Sequence, residues 1–262
     1  MTYAIYRRGA PHRPSITHDN GFLDKFARRA PTTEDRMNYA RWRAKLELGE
    51  SIQGVPGVPH NNLPDALAAY RHFLDGSGSD RTFGYERYVA NDPSGQVTLQ
   101  SAMVEAMGAA YDIHTLLYSG ADGVFQFTGT AIACGGTNSY FPYPKTENWQ
   151  KAIGAHQIWI SGDVKAKWNA PANGADFEMT FVLHAEDRYN FNPGAADIAT
   201  GIPDSDNGIF EITGLAKQYM NYSTLERHVS WTGKPAAGFN VSMVPWLRQM
   251  QPSDNRRARN RI

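Results

Sequence analysis

The segment His184-Ala185-Glu186-Asp187-Arg188-Tyr189-Asn190-Phe191-Asn192 gathers an imidazole, two carboxylates, a guanidinium, a phenol and two amides into nine consecutive residues. The stretch after it, Pro193 to Gly208, adds Asp197, Asp204, Asp206 and Asn207 among Gly and Pro. A connecting loop needs turn residues. It does not need this density of side chains that ligate metal or move protons. The functional centre is therefore expected between His184 and Glu211. The plainer alternative is a polar loop braced by Asx turns.

Three chemistries could use such a segment. Asp204-Ser205-Asp206-Asn207-Gly208 opens like a calcium loop, but Leu215 stands where a bidentate Glu is required, so that loop type is excluded and only a looser cation site stays open. No His or Cys cluster has the spacing of a structural zinc site. Carboxylates beside Arg and Tyr suit phosphoester cleavage. One carboxylate activates water or holds Mg²⁺, and a guanidinium neutralises developing phosphate charge. Cys134, flanked by Ala133 and Gly135, matches no nucleophile signature. His156 reads as a core-edge histidine. Phe141-Pro142-Tyr143-Pro144 with Trp149 reads as a stiff aromatic loop that either packs over the fold or holds a ligand.

Elements must hold these groups in place. Ile158, Ile160, Val164, Ala166 and Trp168 alternate with polar residues, which is the period of a half-buried strand. Asn173-Gly174 signals a hairpin. The return strand places Phe177, Met179, Phe181 and Leu183 on one face, and the chemistry-rich segment follows it. Leu225, Arg227, Val229 and Trp231 mark a further strand. Phe210 and Ile212 suggest a short one, and Leu215 to Met220 a short helix. In the front third the period is helical. Thr32 or Thr33 caps a helix to about Leu48. Pro64 opens one that stops at Gly76, and a long one covers about Val97 to Tyr118. The first thirty residues, rich in Arg, Pro, His and Gly, show no periodicity and read as a loosely ordered arm. The resulting class is α+β, with a helical N-terminal third packed against a curved antiparallel β-sheet or open β-barrel. The expected division is an arm, helix and linker over 1–62, an α+β domain over 63–233 and a basic tail over 234–262.

Lys+Arg and Asp+Glu are equal at 26 each, so there is no basic surplus for nucleic acid. The excess of Arg248, Arg256, Arg257, Arg259 and Arg261 near the end reads as a solvated terminus. No segment approaches the roughly 20 apolar residues of a membrane span. The N-terminus has no signal core. The expectation is a soluble protein, secreted or delivered into a target cell envelope without a classical signal peptide, or cytoplasmic.

Glu186 to Asn192 resembles the signature segment of the colicin M-like bacteriocins. These toxins cleave lipid II, the undecaprenyl-pyrophosphate-linked peptidoglycan precursor, in the periplasm. The family pattern is Asp-x-Tyr-Asp-Phe-Asn, followed by a His-Arg pair. Asp187, Tyr189, Phe191 and Asn192 match it. Asn190 replaces the second, catalytic Asp, and Ala196-Asp197 stand in place of His-Arg. Ala66 to Tyr70 and Gly76 to Arg81 are similar to the family's helix and Gly-rich turn. The resemblance spans roughly Leu63 to Gly233, and its specific part is the short segment.

It implies an antibacterial hydrolase acting on a lipid-linked cell-wall precursor. Asp187, Tyr189, Asn190 and Asp197 would be catalytic, with Asp197 supplying the missing base. His184, Arg188 and Asn192 would contact substrate. Asp187, Asp204 and Asp206 would hold a divalent cation, Mg²⁺ or Ca²⁺, with no organic cofactor. The partners implied are the envelope precursor and an immunity protein or delivery apparatus. The alternative is a catalytically inactive scaffold of the same kind that binds a ligand or partner.

Overall fold

The computed structural model describes residues 4–136 and 139–235 and the backbone of residues 244–245. The chain forms β1 (Tyr6–Arg8), α1 (Phe22–Lys25), α2 (Thr33–Ser51), α3 (Pro64–Leu74), β2 (Arg81–Thr82), α4 (Tyr85–Asn91), α5 (Pro93–Leu117), β3 (Gly123–Gly129), β4 (Ile132–Cys134), α6 (Glu147–Ala152), β5 (His156–Asn169), β6 (Gly174–Tyr189), α7 (Ser205–Thr213), β7 (Tyr219–Thr232) and β8 (Val244–Pro245). The class is α+β with an open sheet. The arginines from Arg248 onward lie outside the described residues.

Local chemistry sets the helix ends. At α2, the Thr32 hydroxyl accepts from the Asp35 N–H at 3.2 Å and Asp35 accepts from the Thr32 N–H at 2.7 Å, a reciprocal capping box. At α5, Asp92 caps the helix and Pro93 occupies the first turn, where its missing N–H costs nothing. That pair starts the helix four residues ahead of the expected Val97.

Strands β3, β5, β6 and β7 are antiparallel neighbours, with β1 beyond β3 and the short β2 beyond β7. β2 runs parallel to β7. The two outer strands β1 and β2 do not pair with each other, so the sheet is not a barrel. The expected hairpin is present, with a wider turn than Asn-Gly alone. Asn169 pairs with Gly174, Ala170–Ala172 form a 3₁₀ turn, and Asn173 takes the left-handed conformation.

The alternation lands as expected. Ile158, Ile160, Val164 and Ala166 of β5 and Phe177, Met179, Phe181 and Leu183 of β6 are all buried, facing Tyr85, Tyr88, Leu99 and Met103 of α4 and α5. A second core joins Leu46, Phe73, Phe210, Ala216 and Tyr219 where α2, α3 and α7 meet the end of the sheet.

Three expectations fail for physical reasons. β6 does not stop at His184. Its ladder with β7 continues through Asp187↔Asn221 to Tyr189↔Tyr219, because paired backbone on β7 is available that far. Phe210 and Ile212 lie in helix α7, closed by the left-handed Gly214, and Tyr219 and Met220 belong to β7. Residues 4–30 are held in place. Arg8 pairs with Phe127 on β3, and Arg13 reaches Glu186 on β6. Because β5 separates β3 from β6, the chain crosses the outer face of β5 between these points. It then turns into α1, where Phe22 packs on Gly208 so closely that a Cβ there would meet the ring at 2.1 Å.

Candidate functional site

The last residues of β6 leave the sheet beside a cleft of about 660 Å³. Trp42 and Leu46 of α2 and Ala66, Leu67 and Tyr70 of α3 give it an apolar wall. Asp187, Asn190, Asn192, Asp197 and Asp204 line it, with Arg188 and Tyr189. Asp19, from the N-terminal segment, lines it too, as do Tyr143 and Lys151. Residues from widely separated parts of the chain thus converge on one concavity.

Asp187 is the most deeply buried of these carboxyls. It is 8% exposed. Burial pushes its pKa well above the usual carboxylate range, and the nearby charge of Asp19 adds to the shift against the opposing Arg188. The protonated form is thereby favoured, which suits a proton donor. Asp204 is also raised, mainly by burial, with Asp197 and Asp19 adding. The Asn192 N–H, donating to it at 2.9 Å, opposes. Asp197 goes the other way. Burial opposes its charge, but the Thr200 hydroxyl at 2.6 Å, the Thr200 N–H at 2.7 Å and Lys151 at 3.4 Å hold it below the usual range. The cleft therefore contains carboxyls whose environments push them apart, as acid–base chemistry requires.

Arg188 and Asn190 have tasks the sequence did not show. The Arg188 guanidinium donates to Asp24 at 2.7 Å and to the Asp19 carbonyl, so it ties down the N-terminal segment instead of standing open for phosphate. Asn190, with its amide turned, donates to Asp19 Oδ1 at 3.2 Å and to the Arg188 carbonyl and accepts from the Gly21 N–H at 3.3 Å, giving up a bond to Asn192 Oδ1. Asn192 donates to Asp19 Oδ2 at 2.6 Å. A carboxylate at 190 would face Asp19, a like-charge contact that the amide avoids.

Tyr189 reaches the cleft and also belongs to the core. It stacks on Tyr219 with ring centres 5.0 Å apart, and burial pushes its pKa up. His184 is not in the cleft. It lies on the other face of β6, stacked on Trp159 and 3.0 Å from the Ser161 hydroxyl, and burial lowers its pKa to about 3. The even numbering that puts Glu186 on that face puts His184 there as well. Asp206 is exposed on the first turn of α7, outside the cleft lining. His156 is buried against Tyr85 and Tyr88, its pKa lowered to about 4 by burial, as a core-edge histidine should be. In the aromatic loop Phe141 and Trp149 are buried while Tyr143 faces the cleft.

Among the described residues no three His, Cys, Asp or Glu side chains gather closely enough to hold a metal ion. Asp187, Asp204 and Asp206 in particular are not brought together. Also among the described residues, no helix is long and apolar enough to cross a membrane.

Two contributors carry no local signal in the sequence. Asp19 sits in a stretch without periodicity. Glu211 of α7 is 1% exposed and accepts from the Phe191 N–H at 3.0 Å, so it fixes the chain where it leaves β6. Its spacing from Phe191 does not show this bond.

No family model matches the sequence, and no curated protein matches it. Among solved structures the chain is similar to PaeM, a colicin M-like bacteriocin produced by Pseudomonas aeruginosa. The identity is 15% and the TM-score 0.39, over 71% of this chain and 60% of that one.

Proposed function

We propose that the cleft is the active site of a toxin-like hydrolase that cleaves a phosphoester in a polyprenyl-pyrophosphate-linked envelope precursor. The observation that supports this best is Asp187: a buried, proton-favouring carboxyl among further acids, beside an apolar wall. Proton-transfer groups next to an apolar surface suit a ligand that has a polar reacting centre and a hydrocarbon part. The choice of a polyprenyl precursor comes from the resemblance of the Glu186–Asn192 segment.

In this reading Asp187 gives its proton to the leaving oxygen. Tyr189 and Asn192 border the reacting group. Asp197, its charge stabilised by Thr200 and balanced by Lys151, is a weak base and serves as a fixed charge. Asp204 holds the Asn192 backbone in place.

Asp187→Asn is nearly isosteric and should leave the fold intact. It should lower release of phosphate-containing product from a lipid-linked precursor by about 100-fold or more. The assay is run with Mg²⁺, with Ca²⁺ and with chelator. Wild-type protein that releases no product under any of these conditions, and is harmless in the periplasm of a sensitive bacterium, would rule the reading out. A second reading, a non-catalytic ligand-binding scaffold, is favoured by one observation: Asn190 and Arg188 are both engaged in holding the N-terminal segment.

A further inference from the structure

The hydrolase reading leaves one role unfilled. Something must take a proton from the attacking water, and Asp197 is a poor candidate because a cation, Lys151, is paired with its carboxylate at 3.4 Å. The remaining acids of the cleft are Asp204 and Asp19. One oxygen of Asp204 is bonded to the Asn192 N–H, and burial favours its protonated form. Asp19 differs in origin and in how it is held. It comes from the segment that crosses the outer face of the sheet, here called the strap.

The strap is fastened on both sides of Asp19. Before it, Arg13 makes two parallel bonds to Glu186 at 2.7 and 2.6 Å, and His18 lies 2.9 Å from the same carboxylate. After it, Arg188 bonds Asp24, and Phe22 packs on Gly208. Between these anchors the two amides that flank Phe191 each take one oxygen of Asp19. A carboxylate fixed at both oxygens by side-chain amides, at the wall of a cleft, is oriented and not merely nearby.

We propose that Asp19 is the general base of this site, carried into the cleft by the N-terminal strap. This rests on the hydrolase reading. Asp19 accepts a proton from water as the water oxygen bonds to phosphorus. The bond from phosphorus to the leaving oxygen breaks, and Asp187 gives that oxygen its proton. Exchange with solvent then returns a proton to Asp187 and removes one from Asp19. The charged and titratable groups around Asp187 are Asp19 from the strap, Glu186, Arg188 and Tyr189 from β6, Tyr143 from the aromatic loop and Tyr219 from β7.

The test uses the whole chain and the Asp19→Asn variant, with Asp112→Asn, an exposed carboxyl of α5 outside the cleft lining, as a control for loss of one negative charge. The first readout needs no substrate: the Asp187 carboxyl carbon is followed by NMR through a pH titration. In Asp19→Asn its midpoint should fall by about one pH unit, because a like charge has been removed. In Asp112→Asn it should stay. The second readout is the pH profile of kcat/KM. Asp19→Asn should lower the plateau by about 100-fold and abolish the acidic limb, leaving the basic limb set by Asp187.

An unmoved Asp187 midpoint overturns the proposal. So does an Asp19→Asn enzyme that keeps turnover within about twofold, or keeps its acidic limb. In both cases an active wild type leaves the hydrolase reading standing. If the wild type itself turns over no lipid-linked precursor, the hydrolase reading fails first and the base role falls with it.

Discussion

Glu211 shows how one buried carboxyl couples the site to stability. Burial pushes its pKa up to about 7, over the opposing bond from the Phe191 N–H and the charge of Arg188. One of its oxygens is buried without a partner. In the unfolded chain the group ionises near 4.5. Between those values the unfolded chain has lost a proton that the folded chain keeps, so stability falls as pH rises through the window. The full loss is about 3 kcal/mol. Glu211→Gln keeps an acceptor for Phe191 and removes the titration. The wild-type-minus-variant difference in urea-melt stability should therefore decline from about pH 5 to about pH 8, by an amount of that order. A flat difference would mean that folding does not perturb the Glu211 carboxyl. At this scale the sequence is an uneven guide. Asp187, Asn190, Asp197 and Asp204 were legible as a dense polar segment and do share one cleft. His184 was misplaced because proximity along a strand does not distinguish its two faces.

Among the elements, β5 and β6 were the most legible. Period-2 alternation sets which side chains share a face, and a one-residue slip would invert the whole set. Phe181 tests this. It is fully buried between the sheet and the helices, opposite Gly162, which leaves room for Phe127. Phe181→Ala should lower stability by about 3–5 kcal/mol in denaturant titration, if the surrounding rings cannot close the cavity. A loss under about 1 kcal/mol would show that the site collapses, or that the phenyl ring packs less tightly than its burial indicates. Where alternation ended, legibility ended. Phe210 and Ile212 are two residues apart, which suits a strand as well as a helix. Gly214 and the second core decide for the helix. The extension of β6 to Tyr189 depends on a partner strand far along the chain, and no local pattern reports that.

At the scale of the whole molecule, the strap is what the sequence hid most completely. Arg13 and Glu186 are 173 positions apart, and the segment between β1 and α1 has no hydrophobic period to reveal where it docks. Its order comes from specific polar contacts, which single-sequence patterns do not encode. The Glu186 side chain is 3% exposed and that of Arg13 32%, so the pair is partly shielded from solvent. Burial works against the Glu186 charge, but the bonds from His18 and Arg13 outweigh it and hold the carboxyl below its usual range. Glu186→Ala removes the acceptor of both strap residues while leaving Arg13 free to turn into water. The strap would then be held by β1 and the His12 N–H bond to Thr128 on one side, and by the contacts of Asp19, Phe22 and Asp24 on the other. Global stability should fall modestly, by about 1–3 kcal/mol. Local opening of the strap should rise much more sharply, since such segments open independently of the core. Limited digestion with proteinase K, mapped by mass spectrometry, should cut residues 9–21 about tenfold faster or more in Glu186→Ala, a factor equivalent to about 1.4 kcal/mol. Cleavage inside β5 and β6 should change far less. Equal cutting of wild type and variant would show that the remaining contacts of the strap suffice to fasten it. The ion pairs to Glu186 would then have no part in presenting Asp19 to the cleft.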